Sequence, residues 1–264
     1  MDAAAAPDIQ LVRPLEGRLV AVTGAGSGIG RDIARTFIRA GATLAALDID
    51  AAALHALRDE VGCHIAICDV TDAASVEAAF ASLEKALGGL DILISNAGSA
   101  PQGAIGDISL TDFRRSFDLN FFGHQLVCQT ALRIFRRQGR GGTILFNISN
   151  QSVNPGKNFG PYGIPKAAVM ALMKQYALDH SHEGIRVNGV NAGRIRTGLM
   201  TDQMIADRAA ARGITQKEYM SGNLLGVEVT SVDVAETFLH LALMEKVNAA
   251  VLTVDGGTIA TSLR

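Results

Sequence analysis

Tyr162 and Lys166 stand four residues apart in the chain, and Ser149 lies thirteen residues before Tyr162. Residues four apart on a helix share a face, so the Lys166 ammonium would favour the ionised form of the Tyr162 phenol. Lowering a phenol pKa from ~10 to ~7 needs about 4 kcal/mol, of which a unit charge about 5 Å away supplies roughly 3 kcal/mol. Such pairs also occur on ordinary solvated helices. With a second positive charge nearby, the spacing predicts a tyrosine that acts as a base.

The composition excludes several classes of protein. The chain has 264 residues, of which 48% are apolar, 19% are charged and 28 are glycine. Such a chain is long enough for one large α/β domain with a substantial core. A formal net charge of −2 argues against a nucleic-acid surface or a polybasic membrane anchor. We therefore expect a small molecule as the partner.

Neither a disulfide framework nor a metal site is expected, because Cys63, Cys68 and Cys128 lack paired Cys-x-x-Cys spacing. No segment reaches about eighteen uninterrupted apolar residues, and the start of the chain lacks the pattern of a secretory signal. We expect a cytoplasmic protein with no membrane span and with buried thiols. Residues 1–17 are predicted to form an N-terminal arm, and residues 18–264 a single domain.

Short apolar runs alternate with longer helical patterns from Arg18 onward, which is typical of a parallel sheet with crossover helices. The predicted strands are Leu19 to Thr23, Thr43 to Asp48, His64 to Cys68, Ile92 to Ser95, Thr143 to Ile148, Arg186 to Val190 and Ala250 to Val254. The predicted helices are Ile29 to Ala40, Ala52 to Val61, Ala74 to Leu87, Leu110 to Arg137, Tyr162 to His182 and Val232 to Glu245. The sequence predicts an α/β fold with a doubly wound, seven-stranded parallel sheet and helices on both faces.

Residues 198–230 interrupt this alternation between the last two strands. The segment combines helix formers with apolar anchors at Met200, Met204, Met220 and Leu224. An insertion at this place is where such a fold carries a substrate lid.

A glycine-rich turn leaves the first strand and opens a helix, reading Thr23-Gly24-Ala25-Gly26-Ser27-Gly28-Ile29-Gly30. Glycine lets the backbone approach a pyrophosphate closely, and the helix N-terminus offers free N–H groups and positive potential. The spacing departs from the commoner Gly-x-Gly-x-x-Gly because Ile29 occupies the last expected glycine. We predict a dinucleotide site; a turn that only packs helix against strand is the alternative.

Asp48 ends the second strand, eighteen residues past Gly30. An acidic side chain there can accept hydrogen bonds from the adenosine ribose and would repel a 2′-phosphate. No arginine follows in Asp48-Ile49-Asp50, so NAD is favoured over NADP. The alternative is that Asp48 caps the next helix, a role that Asp50 could fill instead.

Polar residues also follow the third and fourth predicted strands, in Asp69-Val70 and in Asn96-Ala97-Gly98. Ligands of open parallel sheets bind at the carboxyl ends of the strands, although turn chemistry alone could explain either pair.

Over roughly residues 18–257 the sequence resembles a short-chain dehydrogenase/reductase of the classical, NAD-preferring type, and so implies a Rossmann-type fold. The matching pieces, in order, are the Thr23 to Gly30 turn, Asp48, Asp69-Val70, Asn96-Ala97-Gly98, Asn120, Ser149, Tyr162 with Lys166, Thr197, and Asp255-Gly256-Gly257. Each piece alone is weak, but their order is highly specific.

The resemblance implies a role for each residue. Ser149 would hold the substrate oxygen, Tyr162 would exchange the proton, and Asn120 would support a water-mediated proton path. Lys166 would grip the nicotinamide ribose and lower the pKa of Tyr162, aided by the cationic nicotinamide ring. The implied cofactor-binding residues are Gly24, Ser27, Gly28, Ile29, Gly30, Asp48, Asp69, Val70, Asn96, Gly98, Tyr162, Lys166, Ile195 and Thr197.

Two positions depart from the expected pattern. A proline inside a helix costs about 3 kcal/mol, so Pro165 leads us to expect a helix that begins near Pro161 or Tyr162. In Asn191-Ala192-Gly193-Arg194 the family usually has a proline before the glycine, and its absence loosens a turn beneath the nicotinamide.

The substrate is predicted from the polar segment between Ser149 and Tyr162, which includes Gln151, and from Arg194, which the resemblance places toward the pocket. A guanidinium can fork onto a carboxylate or phosphate, although polar loops are often merely solvated. Residues 188–225 also resemble the dehydrogenase half of bifunctional aldolase-dehydrogenases of deoxysugar breakdown. The predicted substrate residues are Ser149, Gln151, Tyr162 and Arg194, and the predicted substrate is a small sugar-derived alcohol or hydroxy acid.

Two other functions stay open from the sequence alone. The methionine-rich 198–230 segment could line the pocket of an apolar-ketone reductase. A non-catalytic dinucleotide sensor would need the glycine turn but not a complete Ser-Tyr-Lys set. The resemblance further implies a homotetramer or dimer built through the Leu110 to Arg137 and Tyr162 to His182 helices and the C-terminal strand.

Overall fold

The computed structural model describes residues 13–262 of the chain. Residues 1–12 of the predicted arm lie outside the described residues. Leu15, also placed in that arm, is buried in the core, and its N–H donates to the Ala40 carbonyl at 2.9 Å.

Seven strands form one sheet in the order β3-β2-β1-β4-β5-β6-β7, and every neighbouring pair is parallel. The strands are β1 Leu19–Thr23, β2 Thr43–Asp48, β3 His64–Ile67, β4 Ile92–Ser95, β5 Gly142–Asn147, β6 Ile185–Ala192 and β7 Val251–Val254. The strand order reverses at β1, which pairs with both β2 and β4. The predicted fold class is confirmed, and the reversal creates a crevice at the carboxyl ends of β1 and β4.

Helices cover both faces of the sheet. They are α1 Gly28–Arg39, α2 Ala51–Val61, α3 Ala73–Leu87, α4 Leu110–Phe117, α5 Gly123–Gln138, α6 Gly160–His180, α7 Asp202–Ala210, α8 Gln216–Met220, α9 Ser231–Leu243 and α10 Thr258–Ser262. Helices α1, α2 and α9 bury apolar side chains in one core cluster, and α3, α5 and α6 do so in another. Along β1, Val20 and Val22 join the first cluster whereas Ala21 joins the second. A strand covered on both faces therefore appears in sequence as an unbroken apolar run.

The predicted single helix from Leu110 to Arg137 is wrong in its middle. Helix α4 ends at Phe117, a π-helical turn covers Asp118–Phe122, and α5 begins at Gly123, whose N–H bonds to the Asp118 carbonyl. The extra residue of a π turn leaves the helix axis continuous, so the apolar periodicity hides it. This local change places Asn120 inside the protein.

The segment predicted as a lid carries α7 and α8. They pack on each other through a small cluster of Ile205, Ala209, Tyr219 and Met220, separate from the two sheet clusters. Within residues 13–262, none of the helices is both long enough and apolar enough to span a bilayer.

Candidate active site

The glycine-rich turn lies at the sheet crevice and depends on its glycines. Gly24 and Gly28 have φ values of 66° and 50°, a region that side chains disfavour. A Cβ on Gly30 would collide with the Gly24 carbonyl. Gly28 faces Thr197, whose Cβ would lie 3.2 Å from a Cβ on that glycine. The turn therefore holds α1 close to β1 while bringing Thr197 to the cleft.

The N-terminus of α1 opens into this cleft. Ser27 is its N-cap residue but makes no side-chain capping hydrogen bond. Since the first N–H groups of a helix have no intrahelical partner, they stay available to an anion such as a pyrophosphate. The residues present thus fit a dinucleotide.

Most predicted cofactor residues line the same cleft, which has a volume of about 340 Å³. Those that line it are Gly24, Ser27, Gly28, Ile29, Gly30, Asp48, Asp69, Val70, Asn96, Gly98 and Thr197. Ile195 is buried in the core cluster that includes residues of α1 and α9 and is not among the residues that line the cleft. The cleft is also lined by residues outside the predicted cofactor set, namely Ile49, Cys68, Thr71, Ala97, Leu119, Asn147, Gly198 and Leu199.

Asp48 is held against the glycine turn. One carboxylate oxygen accepts from the Gly26 N–H at 2.8 Å and the other accepts from the Asp50 N–H at 3.0 Å. The helix cap is Asp50, whose side chain accepts from Ala53 at 3.0 Å. The alternative in which Asp48 caps α2 is therefore wrong. Each Asp48 oxygen retains a lone pair that can accept a ribose hydroxyl.

Asn96 and Asn147 join the glycine turn to the next strand. The Asn96 amide donates to the carbonyls of Thr23 and Gly24, and its oxygen accepts from Asn147 Nδ2 at 2.7 Å. Asn147 Oδ1 is buried in the cleft wall and has no partner within the described residues. A buried acceptor of this kind is normally satisfied, so it fits a donor on a bound ligand or water.

Asp69 and Val70 shape the other end of the cleft. The Asp69 carboxylate accepts from the backbone and hydroxyl of Thr71, at 2.9 and 2.7 Å. Val70 is buried and packs closely on Gly123, the first residue of α5. Both residues sit where the strand-end pattern predicts them.

Tyr162 is half-buried near the start of α6, and the Ser149 side chain is near enough to lower its pKa. Ser149 begins a 3₁₀ turn, Asn150–Ser152, and its hydroxyl accepts from the Gln151 N–H at 3.2 Å. Burial raises the pKa of Tyr162, while Ser149 acts in the opposite direction. In the protein alone, the expected fall in the phenol pKa through Lys166 is therefore not found.

Lys166 lies on the same face of α6, with Nζ 5.9 Å from the centre of the Tyr162 ring. Its ammonium is buried and donates to the Asn147 carbonyl at 2.8 Å. Burial lowers the pKa of Lys166 from 10.5 to about 7. The cost of burying both groups outweighs their attraction at this distance, so a further positive charge is needed before Tyr162 ionises near neutral pH.

Asn120, in the π-helical turn, is fully buried, and both its side-chain oxygen and its side-chain nitrogen form hydrogen bonds. Its Oδ1 accepts from the Ser99 N–H at 3.0 Å, and its Nδ2 donates to Ser116 Oγ at 3.0 Å. The Ser116 hydroxyl donates to the Pro161 carbonyl at 2.6 Å. Asn120 thereby ties the loop after β4 to the start of α6, next to Tyr162.

Pro165 explains why Ser116 is needed. The helix begins near Pro161 as expected, at Gly160, but Pro165 lies inside it, beyond the first four N–H groups. A residue at this position would normally donate its N–H to the carbonyl four residues earlier, but proline has none. The Ser116 hydroxyl supplies the missing donor to Pro161.

The two further substrate residues are engaged with their own surroundings. Gln151 Oε1 accepts from the Gly156 N–H at 2.7 Å and closes its loop. Arg194 donates to the Tyr219 carbonyl, and its guanidinium lies 4.7 Å from the centre of the Tyr219 ring. Arg194 thus braces α8, and contact of either residue with substrate stays a prediction.

Sequence reasoning missed a guanidinium on the lid. Arg208 lies 4.5 Å from the centre of the Phe159 ring, and its Nη2 donates to Gln102 Oε1 at 2.8 Å. The Phe159 ring centre is 6.4 Å from that of Tyr162. Because Gln102, Phe159 and Arg208 belong to different segments, no local pattern could have brought them together.

Sequence reasoning also missed the groups behind Lys166. His124 and Ser95 are buried, and His124 Nε2 lies 3.3 Å from Lys166 Nζ. The one available signal was that His124 shares the apolar face of α5 with Val127, Cys128 and Ala131. A buried histidine on such a face needs polar partners, but the sequence does not say which.

The parallel sheet with its glycine turn at the crevice, and Tyr162 beside Lys166 and Ser149, define a Rossmann-type oxidoreductase. A protein-family model described as Enoyl-(Acyl carrier protein) reductase matches residues 24–258. The chain belongs to the classical short-chain dehydrogenase/reductase family.

The proteins similar to this chain include two dehydrogenases and one reductase of known structure. A 2-keto-3-deoxy-L-fuconate dehydrogenase of Xanthomonas campestris pv. campestris is 36% identical, over 78% of this chain and 69% of its own length. The 7alpha-hydroxysteroid dehydrogenase of Escherichia coli (strain K12) is 32% identical, over 93% and 95%. The structure of a 3-ketoacyl-(acyl-carrier-protein) reductase from Brucella melitensis, complexed with NADH, has a TM-score of 0.84 at 26% identity, covering 92% of this chain and 98% of that one.

Proposed function

We propose that the protein is an NAD-dependent dehydrogenase of a secondary alcohol, or reductase of its ketone, in a small hydroxylated or anionic substrate. The substrate class rests chiefly on Arg208. Similarity to a 2-keto-3-deoxy-L-fuconate dehydrogenase supports a sugar-derived hydroxy acid.

Arg208 suits an anion because its charge is not neutralised by the protein. In the described part of the chain it has no carboxylate partner, and its neighbours are the Gln102 oxygen, the Phe159 ring and the Tyr219 hydroxyl at 3.5 Å. A half-buried guanidinium fixed by stacking is ready to bind a carboxylate with two hydrogen bonds. Phe159 contacts both Arg208 and Tyr162, so we place the carboxylate of a short acid at Arg208 and its reacting oxygen at Ser149.

The proposed chemistry divides between the chain and its cofactor. When bound, the nicotinamide supplies the site that accepts or gives the hydride. Ser149 donates its hydroxyl proton toward the substrate oxygen, and Tyr162 removes the alcohol proton in oxidation or returns it in reduction. Lys166, held on the Asn147 carbonyl, supplies positive potential beside Tyr162 and an N–H for the nicotinamide ribose.

The cofactor preference rests on Asp48. Its carboxylate lines the cleft beside the glycine turn, and an adenosine ribose bound there would donate to it, whereas a 2′-phosphate would be repelled. We expect faster turnover with NAD than with NADP, and reversal in Asp48→Ala with Ile49→Arg, since Ile49 is 65% exposed beside the cleft. Equal use of both cofactors by the unmodified protein would argue against this role of Asp48.

The substrate class is tested with a panel of sugar acids, neutral polyols and apolar secondary alcohols, followed by NADH formation. Arg208→Leu should lower kcat/KM for the preferred acid about 10-fold to 100-fold, since a hydrogen bond to a charged group is worth roughly 1.5 to 3 kcal/mol. A neutral polyol of similar length should be affected little.

Arg212→Leu is the matched control. Arg212 is exposed and also lies over the Tyr219 ring, at 5.2 Å, but does not stack on Phe159. It should leave kcat/KM for the acid near the unmodified value. Turnover confined to bulky apolar alcohols, and unchanged in Arg208→Leu, would instead favour the apolar-ketone alternative. Tight NADH binding with no substrate in the panel would favour the dinucleotide sensor.

We also propose a homotetramer or dimer formed through α4 to α6 and β7. Exposed apolar side chains on these elements support this proposal, namely Phe122, Ile164, Leu178 and Leu252.

A further inference from the structure

His124 and Ser95 form a buried pair directly behind Lys166. His124 Nε2 lies 3.3 Å from Lys166 Nζ, and His124 Nδ1 lies 2.6 Å from Ser95 Oγ. The three side chains come from α5, β4 and α6, and each is less than 5% exposed. The pair is therefore fixed by the sheet and the helices that cover it rather than by a mobile loop.

The hydrogen bonds of Lys166 determine how the histidine ring must be protonated. A charged ammonium can only donate, so the Nε2 that faces it must be the unprotonated nitrogen. The ring proton then lies on Nδ1 and is donated to Ser95 Oγ. A charged histidine would place a second cation against Lys166, so His124 is neutral whenever Lys166 is charged.

The N–H groups of Lys166 can be assigned to their acceptors one by one. An ammonium has three N–H groups, of which one goes to the Asn147 carbonyl and one to His124 Nε2. One donor is left over. Lys166 Nζ would lie 3.7 Å from a Cβ on Gly98, which lines the cofactor cleft. The remaining N–H is thus available to the cleft.

We propose that His124, oriented by Ser95, is a positioning residue that accepts a hydrogen bond from the Lys166 ammonium, which favours the charged form against burial and leaves its last donor for the cofactor cleft. This inference rests on the proposed function for its kinetic consequences, but the ring tautomer on which it depends can be measured without turnover.

The surroundings leave few other groups that could serve instead. Burial raises the pKa of each of the other titratable side chains packed around the pair, Cys128 on α5 and Tyr162 and Tyr176 on α6. All three are uncharged at neutral pH in the protein alone. In the described part of the chain, no carboxylate is bonded to Lys166 or His124, so the neutral imidazole is the acceptor that offsets the burial of the ammonium.

The kinetic test compares His124→Leu with His124→Gln. Leucine removes the acceptor, so the Lys166 pKa should fall by about one to two units, the value of one hydrogen bond to a charged group. Less positive potential then reaches Tyr162. The acid limb of the kcat/KM profile for alcohol oxidation should move to higher pH by about one unit, with kcat about tenfold lower at pH 7. Glutamine offers a carbonyl acceptor and should restore most of the profile.

A purely structural histidine would give a different result. His124→Leu would then lower the melting temperature while the acid limb of the surviving activity stayed in place, and glutamine would be no better than leucine. Either observation would overturn the proposal.

The second test uses long-range proton-nitrogen NMR of the imidazole rings, with His124→Gln to assign the signal. Below a pH of about 7, where Lys166 is charged, the unmodified protein should show the His124 proton on Nδ1, and Ser95→Ala should weaken this preference. A proton on Nε2 would overturn the proposal even if the protein turned over every acid in the panel. An Nδ1 proton in a protein with no dehydrogenase activity would support the ring assignment and reject the proposed function.

Discussion

Lys166 is the residue in which the requirements of stability and chemistry conflict most directly. Its ammonium is 3% exposed and has no carboxylate partner within the described residues. A buried cation of this kind destabilises the folded protein, as its pKa of about 7 records. The same ammonium lies beside Tyr162 and the cofactor cleft, so the group that destabilises the fold is also the one that supplies positive potential there.

This conflict predicts a pH-dependent stability. Between pH of about 7 and 10.5, Lys166 is neutral in the folded protein but protonated in the unfolded chain. Because the unfolded state binds more protons there, the free energy of unfolding rises with pH by up to about 1.4 kcal/mol per unit from this group. Below pH of about 7 both states are protonated and the contribution is constant.

We therefore expect Lys166→Met to remove this slope. In urea unfolding between pH 6 and 10, the unmodified protein should gain stability relative to Lys166→Met above a pH of about 7. Lys174→Met is the control, because Lys174 is exposed on the same helix. For Lys174→Met, the free energy of unfolding should change with pH in parallel with that of the unmodified protein. Parallel curves for Lys166→Met as well would show that Lys166 keeps an ordinary pKa when folded.

The identities of the Ser149, Tyr162 and Lys166 set could be read from the sequence, but the neighbours of Lys166 could not. Tyr162 and Lys166 are one helical turn apart, so local spacing suffices. His124, Ser95 and Asn147 come from other elements and meet Lys166 only after the sheet has formed. For the same reason, the spacing of Tyr162 and Lys166 in the sequence could not predict that burial raises the Tyr162 pKa.

At the scale of elements, the most informative contact is the one between α4 and the start of α6. Pro165 leaves the Pro161 carbonyl without its helical donor, and the Ser116 hydroxyl replaces it at 2.6 Å. Ser116 also accepts from Asn120, so the same hydroxyl links the π-helical turn to the helix that carries Tyr162.

The ends of the strands were predicted to within two residues, because apolar runs in the sequence mark the strands. The π turn was missed because one extra residue leaves the apolar pattern of Phe113, Phe117 and Phe121 intact.

The hydrogen bond from Ser116 to the Pro161 carbonyl predicts that one substitution can restore stability lost through another. Ser116→Ala leaves a buried carbonyl unsatisfied and should cost about 1 to 3 kcal/mol in the free energy of unfolding. Adding Pro165→Ala supplies an N–H four residues after Pro161, so the double variant should be more stable than Ser116→Ala alone.

Denaturant unfolding of the four proteins in this cycle measures the coupling. Pro165→Ala alone should have a smaller stabilising effect, because Ser116 already serves the carbonyl. Strictly additive changes would show that Pro165 and Ser116 do not share this acceptor.

At the scale of the whole molecule, the described residues form two large apolar clusters and one small one. The two large core clusters lie on either side of the sheet, whereas α7 and α8 share a small cluster of their own. Arg194 and Arg208 connect these lid helices to the rest of the site through Tyr219 and Phe159. The apolar packing of α7 and α8 is thus separate from that of the sheet, although Gly198 and Leu199, at the start of the same segment, line the cofactor cleft.

The exposed apolar side chains predict self-association. Leu178 is 74% exposed on α6, one of the helices proposed to form the interface. Leu178→Lys would place a charge in a buried contact and should shift the protein toward smaller species, as measured by light scattering after size-exclusion chromatography. Leu225→Lys, on the lid segment at 72% exposure, is the matched control and should leave the mass unchanged. A monomer before any substitution would contradict the proposed assembly.

The central claim is that Tyr162 exchanges a proton with the substrate while a bound nicotinamide exchanges the hydride. The most direct measurement compares the unmodified protein with Tyr162→Phe, using NADH fluorescence for binding and NADH formation for turnover of the best alcohol in the panel. The account predicts nearly equal NADH affinity and a loss of turnover of at least about 100-fold, the lower range for general acid-base catalysis. Turnover that persists in Tyr162→Phe within a few-fold would contradict it.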